Sequence, residues 1–79
     1  MKIESEYCFS QALGQKITLY RERAGLKLVD LAGITKIKIE DTIAYENGTR
    51  SIQIEDFLKI ANALDIDASQ LIDGIKLKD

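Results

Sequence analysis

Apolar residues recur along this chain at helical spacing. Phe9, Leu13, Ile17, Tyr20 and Ala24 follow one another at steps of four, four, three and four, which places them on one stripe of a helix. Gly25 then ends the stripe, as Gly does just beyond a helix C-terminus. Leu28, Leu31 and Ala32 mark a short second helix over residues 28–34. Ile39 and Ile43, with Thr42 beside them, predict a third over 38–46, closed by Asn47-Gly48, a pair that tolerates left-handed backbone. Thr49 to Ile52 reads as a loop. Ile54, Phe57, Leu58, Ala61 and Leu64 form the stripe of a fourth helix. Asp67 to Gln70 has the form of a capping box opening a fifth, which carries Leu71 and Ile72 and ends at Gly74. Gly14 and Gly33 fall inside helical patterns and cost roughly 1 kcal/mol each relative to Ala unless close packing favours them. The pattern therefore predicts an all-α fold, a compact bundle of five short helices with short connections.

Both ends of the chain depart from this pattern. Met1-Lys2-Ile3-Glu4 and Ile75-Lys76-Leu77-Lys78 alternate with period two, a weak strand signal, against which stands the plainer reading of frayed ends. With 79 residues there is room for one domain, with a core over 9–73 and short tails.

Composition removes several function classes. There is no His and a single Cys, so no zinc ligand set, no internal disulfide and no His-based nucleophilic catalysis is expected. The lone Cys8 has acidic neighbours and reads as a small hydrophobe rather than a reactive thiol. Carboxylate pairs such as Glu55-Asp56 and Asp65/Asp67 read as solvation and capping. No Gly-rich phosphate loop is present. The expectation is a non-enzyme without metal or cofactor. No apolar run suits a membrane span, and the first residues carry acids where a secretion leader needs bases, so a soluble, cytoplasmic protein is expected. Net charge is −2, with the acidic excess in residues 51–79. Any grip on nucleic acid must come from local placement of bases, not from overall charge.

The stretch from Leu13 to Ile72, three quarters of the chain, resembles the lambda-repressor/Cro-type helix-turn-helix domains of the Xre family. The resemblance rests on Leu13-Gly14, Ile17, Arg21, Gly25-Leu26, Leu31-Ala32, Ile37, Glu46-x-Gly48, Ile60-Ala61-x-Ala63-Leu64 and Leu71, in order and without insertion between Gly25 and Gly48. The middle segment, DLAGITKIKIEDTIAYENG, is also similar to the helix-turn-helix of the bacterial cell-shape protein RodZ, sharing Thr35, Lys36 and Ile37. That relative acts largely as a protein-binding module, and fold does not fix function.

The Xre resemblance implies double-stranded DNA as partner, with the third helix in the major groove. Its base-facing positions fall on Lys38, Ile39, Glu40, Asp41 and Ala44. Ile39 offers only apolar contact, for example with a thymine methyl, and Glu40 can accept from cytosine N4. Two acids here depart from the family's usual Gln, Arg, Ser or Asn. The plainer reading makes Glu40 and Asp41 solvated acids that favour a helix N-terminus. Leu28 stands where the family often has a phosphate-gripping Gln. It reads either as a packing residue or as an exposed contact for a protein partner, as does Ile39. Lys27, Lys36, Lys38, Asn47, Thr49 and Arg50 supply donors for phosphates. The resemblance further implies a buried ion pair between Arg21 and Glu46. It also implies a repressor-like homodimer built on the last helix, for which Leu71, Ile72, Ile75 and Leu77 offer apolar surface. The alternative is a protein-interaction module on the same fold.

Overall fold

The computed structural model describes the backbone of residues 2–75 and the side chains from Phe9 to Ile75. Five helices follow in order: α1 (Lys2–Arg23), α2 (Leu28–Thr35), α3 (Ile39–Asn47), α4 (Ile54–Ala63) and α5 (Ala68–Ile72). Among the described residues there is no strand. The weak strand signal at the N-terminus and the alternative of a frayed end are both corrected: Lys2 to Glu4 form the first turn of α1. Cys8 and the segment Lys76 to Lys78, with Leu77, lie outside the residues whose side chains are described.

The core joins Leu13 and Ile17 of α1, Leu31 of α2, Ile37 of the following turn, Tyr45 of α3, Ile60, Ala61 and Leu64 from α4 and its end, and Leu71 of α5. Phe9, Tyr20, Leu26 and Phe57 pack round it half-buried. Helix α1 lies against α3 and α5, α2 against α3 and α4, and α4 against α5. The α1 stripe stops at Tyr20; Ala24 is exposed beyond the helix end.

Helix ends show why the chain turns where it does. Past α1, the Gly25 N–H donates to Glu22 O at 3.0 Å and Leu26 N–H to Arg21 O at 3.1 Å, with Gly25 at φ 75°. This is the paired Schellman closure that left-handed backbone permits. The same closure ends α4 without a glycine. Asp65 takes φ 58°, donating to Asn62 O, while Ile66 N–H reaches Ala61 O. Lys36, also left-handed at φ 62°, turns the chain from α2 into α3. The buried Thr35 hydroxyl supports that turn, donating to Leu31 O at 2.8 Å and accepting from Ile37 N–H at 3.3 Å. At α5 the Gln70 side chain accepts from the Asp67 N–H at 2.9 Å, half of the capping box.

Two apolar stripes are corrected in part. In α3 the buried residues are Thr42 and Tyr45, whereas Ile39 and Ile43 are 38% and 40% exposed. In α4 and just after it, Phe57, Ala61 and Leu64 of the stripe pack in or on the core, whereas Ile54 and Leu58 are exposed and Ile60 is buried. Helices this short present less than a full stripe to a thin core, so residues at the margin of an apolar arc stay in water.

Candidate nucleic-acid interface

The pose of α3 is fixed from three sides. On the first, the α1 backbone comes so close that a Cβ on Gly14 would lie 2.5 Å from Tyr45 O and against Glu46 O. Gly48, left-handed after α3, abuts the backbone of Gln11 in the same way. The glycines are thus the contact points of the α1–α3 crossing.

On the second side stands the Arg21–Glu46 pair. Arg21 Nε donates to Glu46 Oε2 at 2.6 Å and Nη2 to Oε1 at 3.1 Å, while Nη1 donates to Leu26 O at 2.8 Å. The hydrogen bond to Glu46 raises the Arg21 pKa still further above its ordinary value. The Thr18 hydroxyl lies 2.9 Å from both Glu46 Oε1 and Gly14 O, and its one proton serves one acceptor at a time.

On the third side, Tyr45 OH donates to Asp56 Oδ2 at 2.5 Å, tying α3 to the first turn of α4. Burial, then that hydrogen bond, push the Tyr45 pKa up to about 12. Asp56 is therefore not merely a solvated acid but a half-buried acceptor.

With Thr42 and Tyr45 turned inward, the outward ridge of α3 carries Ile39, Glu40, Ile43 and Asn47, and Lys38 stands exposed at its head. Ala44 is half-buried on the flank of this ridge. Asp41 is not a free solvated acid. Its Oδ1 accepts from Arg50 Nη1 at 2.5 Å, which fastens the loop after α3 back to its first turn. Thr49 is also engaged: its N–H and hydroxyl both point to Ala44 O, at 3.0 and 3.4 Å. Lys27 is exposed just before α2, its N–H held by the Asp30 carboxylate at 2.8 Å. Leu28 is half-buried, nearer the packing reading than the exposed one. Lys36 is exposed but lines a shallow groove with Ile34, Lys59 and Asn62, between α2 and α4.

At the other end of the molecule, Leu71 is corrected as a surface residue. It is fully buried in the core, Ile75 is half-buried, and Ile72 is exposed. A short α5 must seal the end of the α1–α4 core, and Leu71 is the side chain that does so.

Thr18, Asp56 and the Asp41–Arg50 pair went unseen in the sequence because each joins residues that no short-range pattern relates. Among the described residues no cluster of His, Cys, Asp and Glu could hold a metal ion, and no helix is long and apolar enough to cross a membrane.

Comparison with known proteins agrees with this architecture. A family model described as a helix-turn-helix domain matches residues 14–77. The chain is similar in structure to the restriction-modification controller protein C.AhdI from Aeromonas hydrophila. The TM-score is 0.75 at 30% identity, and the match covers 77% of this chain and 92% of that one. No curated protein sequence matches the chain.

Proposed function

The chain belongs to the helix-turn-helix domain family, and from that premise we propose that it is a DNA-binding transcription regulator, repressor-like and dimeric, that reads the major groove with α3. The observation that carries this reading is the ridge of α3. A helix braced by α1 and α2 and tied to α4 through Tyr45 turns Ile39, Glu40, Ile43 and Asn47 to solvent, with Lys38 at its head. A rigid helix presenting a row of side chains with different hydrogen-bonding character is what base-edge readout requires. The likeness to a restriction-modification controller protein supports the same reading.

Around that ridge, Lys27, Lys38, Asn47 and Arg50 hold phosphates, with Lys36 contributing from the side of the α2–α4 groove. These contacts fix register without specifying sequence. The Asp41–Arg50 pair supports this role, because it compensates one of the two acids that would otherwise oppose a polyanion. Arg50 keeps Nε and Nη2 for a phosphate. The protein acts without catalysis, cofactor or metal, and its place of work is the cytoplasm, where its DNA partner lies.

Selection from a random duplex library, with the purified protein at about 50 and 200 mM salt, tests the reading. An enriched motif whose affinity falls steeply with salt is expected. A correctly folded sample that enriches nothing and shows no salt-dependent binding would end the DNA reading in favour of a protein-interaction module.

A further inference from the structure

Ile39 and Ile43 are exposed on a helix whose Tyr45 is buried and Ala44 half-buried, and neither packs into the core. They stand at i and i+4, so they share one face, one above the other. Their separation along the axis is about 6 Å. Between and around the isoleucines stand Glu40, Lys38 and Asn47, all exposed. The large apolar side chains that α3 exposes are thus these two, in a ridge that also bears acceptor, cation and amide. That composition does not suit the contiguous apolar core of a protein interface. It suits a groove floor where single methyl groups sit among donors and acceptors, and the C5-methyl of a pyrimidine is the apolar group that the major groove offers.

Resting on the DNA-binding reading above, we propose that Ile39 and Ile43 are specificity-determining residues that read the methyl groups of C5-methylated pyrimidines at two nearby base pairs. These are thymine in unmodified DNA and 5-methylcytosine in modified DNA. Glu40 then addresses a neighbouring base edge, suited to exocyclic amino groups.

The test uses the full chain and the duplex it selects. Each thymine of that duplex is replaced in turn by deoxyuridine, which removes the methyl and keeps every hydrogen-bonding group. Two nearby positions are expected to lose about fourfold in affinity each, the weight of one buried methyl. Ile39→Ala is expected to abolish the thymine preference at one of them and Ile43→Ala at the other. Both residues are exposed, so circular dichroism melts of these variants should match the wild type. Cytosine and 5-methylcytosine placed at the same positions separate the two sources: tighter binding to the methylated base extends the readout to modified DNA, and equal binding restricts it to thymine. Tight binding that is indifferent to deoxyuridine everywhere, or a preference that survives both variants, overturns the inference while leaving DNA binding intact. A folded wild type that binds no duplex even at low salt leaves the ridge to a protein partner and overturns both.

Discussion

Arg21 and Glu46 meet side-on at the junction of α1 and α3, their side chains only 12% and 7% exposed. Every heavy-atom arm of the pair is engaged: Nε and Nη2 on the carboxylate, Nη1 on Leu26 O, and Thr18 beside Oε1. Removing one partner of such a pair strands the other charge where water reaches it poorly. Glu46→Ala is therefore expected to cost about 3–5 kcal/mol, against less than about 1 kcal/mol for a pair at the surface. In a domain of this size that is a fall in Tm of more than about 12 °C. A loss of one or two degrees by calorimetry would mean that the pair behaves as a surface one.

Gly14 and Gly33 are expected to respond to Ala with opposite signs. A Cβ at Gly14 would lie 2.5 Å from Tyr45 O, and the obstacle is backbone, which cannot rotate aside. The α1–α3 crossing must open, at about 1–3 kcal/mol or more. At Gly33 nothing lies within 4 Å of the added atom, and the position is exposed in the middle of α2. Gly33→Ala is expected to stabilise by about 0.5–1 kcal/mol. Urea midpoints of the two variants decide the matter, and equal shifts would refute the packing argument.

The Tyr45–Asp56 bond predicts an alkaline weakness. The unfolded phenol titrates near 10, the folded one at about 12. Below pH 10 both states hold the proton and stability is at its full value. Between pH 10 and about 12 the unfolded chain releases its proton first, so the free energy of unfolding falls through that window. Tyr45→Phe removes this slope. It also leaves the half-buried Asp56 without its donor, costing about 1–3 kcal/mol near neutral pH. A wild type and variant with parallel stability curves from pH 9 to 12 would contradict the assignment.

Helices α1, α3 and α5 were legible in the sequence because each carries a local signal: Gly25 after α1, Asn47-Gly48 at the end of α3, Asp67 before α5; α2 and α4 end on left-handed Lys36 and Asp65, which no glycine marks. What periodicity could not supply was which margin of an apolar arc a thin core would cover. Ile39, Ile43, Ile54 and Leu58 fit their stripes as well as Thr42, Ala61 and Leu64 do, yet burial took only the latter and added Ile60. The two internal glycines look alike in sequence and differ only in what crosses them, a tertiary fact. Asp41 likewise reads as a first-turn acid, because its partner Arg50 lies nine residues away across a loop whose course no local pattern sets.

A homodimer on residues 66–78 is proposed with Ile72 at its exposed centre, since Leu71 is taken up by the core. Light scattering at high concentration is expected to give about twice the 8.9 kDa chain mass. Ile72→Glu should return the monomer without lowering its Tm. Leu71→Ala should instead unfold the chain, at about 2–5 kcal/mol. A wild type that remains at the monomer mass would remove the dimer from the proposal.

Charge substitutions round α3 separate positioning from readout. Lys38→Ala is expected to weaken binding to all duplexes alike and to lower the salt slope by about one. Arg50→Ala should weaken it more, because it also uncovers the Asp41 carboxylate that Arg50 now neutralises. Asp41→Asn in the Arg50→Ala background should recover part of that excess loss. Glu40 stands apart, exposed on the ridge and bound by no described side chain. Removing it takes an uncompensated acid off a polyanion-facing surface, so Glu40→Ala should bind unrelated duplexes more tightly. If Glu40 also accepts from a base amino group, the same change relaxes preference at one position by about 1–3 kcal/mol. Tighter general binding with poorer discrimination is thus expected together, measured by titrating the selected duplex and a scrambled one at two salt concentrations. Tighter binding with discrimination intact would leave Glu40 as a repulsive bystander. No change in either would place α3 outside the DNA contact.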